Sequence, residues 1–219
     1  MKFYKIVNPE GHNDMIYTEG LNTDVLPFNP SGNCETGGIY FSREDILAFV
    51  EYGTELYSVE PIGEVYENPG KPKKWKAHSV NLTYVGKVVD NIQFLIDEGA
   101  DVRAEFYYAI LWAAENGHTE VVKVLIDAGA DVHAYGDAAI RWAVENGHTD
   151  IVKLLIDAGA VIHAYDDYSL QCAAESGYTE VVKLLLDAGA DVHANNDYAL
   201  RLAVREGHID VVELLQACI

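Results

Sequence analysis

The sequence predicts a mainly α-helical protein, a solenoid of repeated helix pairs preceded by a small α+β amino-terminal domain. Three observations carry that prediction. Gly99-Ala100-Asp101-Val102-Arg103-Ala104 recurs as Gly129–Ala134, Gly159–Ala164 and Gly189–Ala194, each time 30 residues on. Within this period the apolar residues follow helical spacing and the runs stop at glycine. Before residue 85 the period is absent, and short alternating stretches lie between prolines and glycines.

Taken in order, Phe3 to Val7 and Gly38 to Phe41 read as strands. Ser42 with Asp45 three residues on resembles a capping box, which predicts a helix carrying Ile46, Leu47, Phe49 and Val50 and ending at Gly53. Leu56 to Val59 and Lys76 to Tyr84 alternate like strands, with Pro61, Pro69, Gly70 and Pro72 marking turns. Residues 1–84 are therefore expected as one module. Residues 85–219 divide into a half unit (85–104), full units 105–134, 135–164 and 165–194, and a truncated unit 195–219.

Each unit reads as two helices. Asp137 stands where an N-cap belongs, ahead of Ala138 to Glu145 with Ile140, Ala143 and Val144 on one face, and Gly147 ends the run. Thr149 is placed to cap a second helix whose Ile151, Val152, Leu154, Leu155 and Ile156 form a broad apolar stripe, stopped by Gly159. Glu120/Lys123, Asp150/Lys153 and Glu180/Lys183 add weak surface support, roughly 0.2–0.5 kcal/mol per pair. Helix pairs this short cannot bury their own apolar faces, so neighbours must complete the core. The small Ala113, Ala143, Ala173 and Ala203 allow close approach between units.

Gly-His-Thr-Glu-Val-Val-Lys-Val-Leu-Ile-Asp-Ala-Gly-Ala-Asp-Val-His-Ala, residues 117–134, resembles the second half of an ankyrin repeat, and the resemblance extends over about 85–219. Ankyrin repeats usually open their first helix with Thr-Pro-Leu-His. Here those positions hold Tyr108-Ala109-Ile110-Leu111, Ala138-Ala139-Ile140-Arg141, Tyr168-Ser169-Leu170-Gln171 and Tyr198-Ala199-Leu200-Arg201. The unit is also shorter than the usual ankyrin repeat, and the missing residues fall between Ala134 and Asp137, where the finger would project. Stubby fingers and loss of the Thr–His network follow. This short-fingered type resembles ankyrin proteins of mimivirus and other giant viruses of amoebae, as do Gly20–Phe28, Gly37–Phe41 and Gly70–Ala77 of the amino-terminal module.

Composition narrows the function. The chain holds 35 Asp and Glu against 15 Lys and Arg, a formal charge of −20, so neutralising phosphates gains it nothing and a general nucleic-acid role is disfavoured. Its longest uncharged stretches, Val25–Cys34 and Ala77–Gly86, are half the roughly 20 residues of a membrane span. No secretory leader is legible after Met1, and Cys34, Cys172 and Cys218 are too scattered for a disulfide framework, so a cytoplasmic protein is expected.

Candidate chemistry is thin. His133, His163 and His193 recur at one position and His118, His148 and His208 at another, but equivalents in stacked helices lie roughly 10 Å apart and cannot share one zinc. They are expected in inter-repeat hydrogen bonds; no metal, cofactor or catalytic residue is predicted. Cys172 shares its place with Trp112, Trp142 and Leu202 and reads as a packing residue. Gly37-Gly38-Ile39-Tyr40-Phe41 resembles the nicotinamide-stacking strand of ADP-ribosyltransferases, an alternative reading in which the module binds NAD. That family's companion motif is broken, since His12 is followed by Asn13-Asp14, and no catalytic Glu can be assigned. Lys71, Lys73, Lys74 and Lys76 around Trp75 offer a second alternative, a single-stranded nucleic-acid contact, against which the field of the chain acts.

The units differ most at the finger stubs and early first helices, where packing does not demand tyrosine. Tyr107, Tyr108, Tyr135, Tyr165, Tyr168 and Tyr198, with the row Leu111, Arg141, Gln171 and Arg201, form the expected partner-binding surface on the concave ankyrin face. Tyrosine and arginine dominate binding hot spots. A structural reading stands beside this one: the tyrosines replace the missing Thr-Pro-Leu-His network. The resemblance implies a non-enzymatic protein-binding module whose partners are proteins of an amoebal host.

Overall fold

The computed structural model describes residues 2–8, 17–23, 39–43, 45–68, 74–77 and 79–218. The chain divides into two compact units, Met1–Ala109 and Ile110–Ile219.

The described strands of the first unit are β1 (Phe3–Val7), β2 (Gly20–Thr23), β3 (Ile39–Phe41), β4 (Glu55–Ile62), β5 (Tyr66–Asn68), β6 (Lys74–Ala77) and β7 (Ser79–Lys87). They form two antiparallel sheets, ordered β1-β4-β7-β2 and β3-β6-β5. Val59 lies across from Phe3 on one side and Leu82 on the other, while Trp75 lies between Phe41 and Glu67. Phe41, Val59, Ala77, Val80 and Leu82 make the buried centre, with Phe3, Tyr57 and Trp75 packed against it. Helix α1 (Ile92–Asp97) follows, and the Tyr4 hydroxyl donates to Glu98 Oε2 at 3.2 Å just beyond its end.

Two local expectations fail here. Ser42 does not stand at the N-cap position, which is Asp45; it exchanges backbone hydrogen bonds with Tyr4, 2.8 Å in each direction, and so belongs to the sheet. The segment after it, Ile46–Tyr52, is a 3-10 helix, and Asp45 makes no side-chain cap. Ile46, Leu47 and Val50 are buried all the same, because a short tight helix still presents one side to the core. Gly53 follows in extended conformation, and its reason is close approach. A Cβ there would stand 2.1 Å from the Val7 carbonyl carbon. The single strand expected over Lys76 to Tyr84 is two strands in different sheets, and the alternation breaks where Lys76 and Ala77 are both fully buried.

The remaining helices are α2 (Ala104–Glu115), α3 (Thr119–Asp127), α4 (Ala134–Glu145), α5 (Thr149–Asp157), α6 (Ala164–Ser176), α7 (Thr179–Asp187), α8 (Ala194–Glu206) and α9 (Ile209–Gln216). In the second unit α4 packs on α6 and α6 on α8, while α3, α5, α7 and α9 pack in sequence as a second layer. The stripe positions Val121, Val122 and Leu125, Ile151, Val152 and Leu155, and Val181, Val182 and Leu185 are all buried. Each such side chain contributes about 1.5–3 kcal/mol, which a lone pair of helices could not realise. Thr149 is the first helical residue rather than the cap, since His148 occupies the position before it.

Between the helices of a pair stands a left-handed glycine, and the next unit explains why nothing larger fits. A Cβ on Gly117 would lie 2.8 Å from the His148 ring, on Gly147 2.9 Å from the Tyr178 ring, and on Gly177 2.5 Å from the His208 ring. The rings reach backward in the chain. His148 Nε2–H donates to the Glu115 carbonyl at 3.0 Å and His208 Nε2–H to the Glu175 carbonyl at 2.9 Å. A carbonyl only accepts, so both imidazoles carry their proton on Nε2. His118 instead lies against Trp112, ring centroids 4.8 Å apart, and burial, with His148 nearby, holds its pKa down.

Candidate functional site

Each first helix of the second unit is entered through a left-handed turn. Tyr135, Gly136 and Asp137 have φ of 53, 63 and 58°, and Tyr165, Asp166 and Asp167 and then Asn195, Asn196 and Asp197 repeat it within a few degrees. A left-handed residue bearing a Cβ costs about 1–2 kcal/mol, so these turns persist only because side chains hold them.

Asp137, Asp167 and Asp197 do not act as the expected N-caps. An N-cap residue has extended backbone, and theirs is left-handed. His133 Nδ1–H donates to Asp137 Oδ1 at 2.8 Å, and the Val161 N–H, in the loop after the second helix of the pair, donates to the same oxygen at 2.8 Å. One unit on, His163 donates to Asp167 at 2.9 Å and the Asp191 N–H does so at 3.2 Å. His193 donates to Asp197 at 2.7 Å. The ladder His133, His163 and His193 thus bonds across the boundary from one unit to the next, as expected, and Asp137 and Asp167 each also hold an amide 24 residues on. The signal for this was present: His and Asp stand four apart at three successive boundaries, while Arg103 and Tyr107 take those places at the one before.

The turn carbonyls are covered from the helix that follows. Arg141 Nη2–H donates to the Tyr135 carbonyl at 3.1 Å, Gln171 Nε2–H to the Asp166 carbonyl at 2.6 Å, and Arg201 to the carbonyls of Asn196 and Asn195. Here the expected surface needs correction. Leu111 and Gln171 are buried, Leu111 in the apolar core and Gln171 by its bond to the turn, so neither is presented to a partner.

The tyrosines behave differently. Tyr135 is 60% exposed and Tyr165 67%, while Tyr168 and Tyr198 are exposed to a lesser degree. The Arg141 guanidinium lies 5.0 Å over the Tyr165 ring, linking one unit to the next, and Arg201 lies 5.0 Å over Tyr198. Such contacts are worth about 0.5–1 kcal/mol at exposed sites. The Tyr168 hydroxyl is hydrogen-bonded to the Cys172 thiol, which together with burial and Glu145 pushes its pKa well up. Burial likewise raises the Cys172 thiol. In the first unit Tyr107 is left-handed, and both it and Tyr108 are half-buried.

Elsewhere, Trp75 edges against Phe3 at 5.4 Å and Lys76 is fully buried; Lys71 and Lys73 lie outside the described residues, as do His12, Cys34, Gly37 and Gly38. Among the described residues no three His, Cys, Asp or Glu side chains are grouped to hold a metal, and no helix is long and apolar enough to cross a membrane.

With the stacked helix pairs in place, comparison with known proteins is decisive. A family model for ankyrin repeats in three copies matches residues 82–166, and another for ankyrin repeats in many copies matches residues 170–216. The chain belongs to the ankyrin-repeat family. Ankyrin repeats are protein–protein interaction modules, and their proteins are generally non-enzymatic. The chain is also 36% identical over 123 residues to ankyrin repeat protein R229 of Acanthamoeba polyphaga mimivirus, a match covering 51% of this chain but 40% of that relative. To protein R869 of the same virus it is 29% identical over 133 residues, covering 55% of this chain and 94% of the relative. The chain therefore spans well under half of R229.

Proposed function

We propose that this ankyrin-repeat chain seats a protein partner along the left-handed turns and the first helices, the concave side of an ankyrin solenoid. The observation that carries this reading is the exposure of Tyr135 and Tyr165, 60% and 67%, on successive turns of the array. The carbonyls of these turns are already covered by Arg141 and Gln171, and the Asp–His pairs replace the absent Thr-Pro-Leu-His network. Tyrosine gives large contact area with few torsions to freeze. Arg141 beneath Tyr165 holds that ring in one orientation before a partner arrives. Tyr168, Tyr198 and Arg201 extend the row. The similarity to mimivirus proteins supports a host-directed role, with the partner a protein of the amoeba.

The test is capture from Acanthamoeba polyphaga lysate with the wild-type chain and with a Tyr135→Ala/Tyr165→Ala variant of equal thermal stability. Loss of the captured set in the variant is the expected outcome. An unchanged set would move attention to the amino-terminal strands.

A further inference from the structure

Residues three or four apart share one helix face, and on the first helices the face turned away from the core repeats. It carries Trp112 and Glu115 on α2, Trp142 and Glu145 on α4, and Cys172 and Glu175 on α6. The two indoles are half-buried and the three glutamates exposed, while Ala113, Ala143 and Ala173 beside them are fully buried. Bonds between neighbouring helices run along this face. The Tyr168 hydroxyl of α6 is hydrogen-bonded to Glu145 of α4, and Arg205 of α8 donates from Nη2 to Glu175 Oε1 at 2.6 Å. Stability does not account for the glutamates. Each stands in the last turn of its helix, where the unpaired carbonyls form a negative pole and a cation is favoured. α2, α4 and α6 hold no basic residue there, and only α8 has one, Arg205. Arg141 and Arg201 lie nearer the helix starts, held by the turn carbonyls. Residues 110–219 together hold 18 Asp and Glu against 6 Lys and Arg, so the surrounding field adds to the pull on a cation.

Resting on the partner-binding reading above, we propose that this face takes an extended segment of the partner with arginine at every third residue, in polyproline II conformation. The chain itself shows the pairing. The Arg205 guanidinium reaches Glu175 from the neighbouring helix, and Glu115 and Glu145 offer the same carboxylate one and two helices back. Glu145 keeps acceptor sites beyond the one given to Tyr168, since a carboxylate has about four. Trp112 and Trp142 stand one turn before these glutamates, and an indole face stacks a guanidinium. Arginine therefore fits both halves of each site, the flat ring and the carboxylate. The spacing selects the conformation. Packed helices lie about 8–10 Å apart. Polyproline II presents the same face every third residue, about 9 Å on, whereas a β-strand does so every second residue, about 7 Å on. Such a segment also brings few torsions to freeze and leaves its own backbone solvated, which suits a face that offers side chains rather than a sheet edge.

The test is calorimetric titration of the full chain with the capped peptide (Arg-Pro-Pro)3 and with a peptide of the same composition whose three arginines are adjacent. One-to-one binding of the first is expected, at least about fivefold tighter than the second because only the first matches the helix spacing. Glu115→Gln/Glu145→Gln should weaken it at least about tenfold, through the loss of two charge pairs. The melting temperature of that variant should not fall, since the glutamates oppose their own helix dipoles. Arg205→Ala frees Glu175 and should tighten binding at least about threefold, whereas Lys153→Ala, an equal change of charge on a second helix, should shift it less than about twofold. Equal binding of the two peptides, or equal effects of Arg205→Ala and Lys153→Ala, would reduce the interaction to unspecific attraction and overturn the proposal. Absence of binding, or unchanged binding by the double Gln variant, would overturn it as well. The lysate capture separates this failure from that of the underlying reading. Partners lost with Tyr135→Ala/Tyr165→Ala, in the absence of peptide binding, would leave a partner-binding chain and strike only the arginine-bearing occupant.

Discussion

The strand-rich first unit and the helical second unit solve the burial problem in opposite ways. In the first, each contact occurs once: Gly53 against the Val7 carbonyl, Ser42 bridged to Tyr4, Trp75 edge-on to Phe3. In the second, a small set of contacts recurs at every junction, as with the glycine and ring pairs Gly117/His148, Gly147/Tyr178 and Gly177/His208. The difference teaches where sequence carries information. Repetition lets one unit annotate another, whereas a contact made once has no second instance to compare.

Four outcomes would break or sharpen that contrast. The largest effect is expected from Leu155→Ala, which empties a fully buried site between layers and should cost about 2–5 kcal/mol in urea unfolding followed by helical circular dichroism. Gly53→Ala should cost about 3 kcal/mol, because the neighbour of the added Cβ is backbone and cannot swing aside; a loss below 1 kcal/mol, on the order of an ordinary surface change, would mean that the single-copy contact is less demanding than it looks. Asp137→Ala leaves the Val161 N–H and the His133 ring without their acceptor and should cost about 1–3 kcal/mol. Asp197→Ala, at the equivalent position but with its side chain 45% exposed, should cost less than about 1 kcal/mol. Equal losses would show that the forward link contributes nothing.

A further effect is in pH. Burial lowers the Lys5 pKa from 10.5 to about 8, so between these values the unfolded chain holds a proton that the folded chain has released, and stability rises with pH. Burial and the bond to Glu98 raise Tyr4 from 10 to about 12, so above pH 10 the folded chain holds the extra proton and stability falls. A maximum near pH 10 is expected in denaturant titrations, with Lys5→Met flattening the rising limb and Tyr4→Phe the falling one.

Much of the helical part was legible because stripe residues such as Val152 and Leu155 and stops such as Gly159 act through local geometry. Asp137 was misread because cap preference is local, while its actual partner, Val161, lies 24 residues on, beyond the second helix of the pair, where only the folded chain brings it near. Leu111 and Gln171 were misplaced because equivalence along the row was taken to mean equivalent exposure. In fact one side chain enters the core and the other folds back on its own turn. In the first unit, Lys76 and Ala77 defeat an alternation rule because consecutive residues are both buried where the strand of one sheet ends and the strand of the other is about to begin.

The junction chemistry also sets a rule for how such a chain can change length. Asp137 reaches 24 residues forward to Val161 and His148 reaches 33 back to Glu115; the first span is reproduced one repeat on and the second two repeats on. A duplication or deletion of one whole 30-residue period leaves every donor facing its acceptor, wherever within the array the break falls. Any other length strands a carboxylate, a ring and an amide at once. Unequal recombination between these near-identical segments is therefore tolerated in one step size only, and a lineage built on this repeat is free to vary in the number of its units while each unit stays fixed in length.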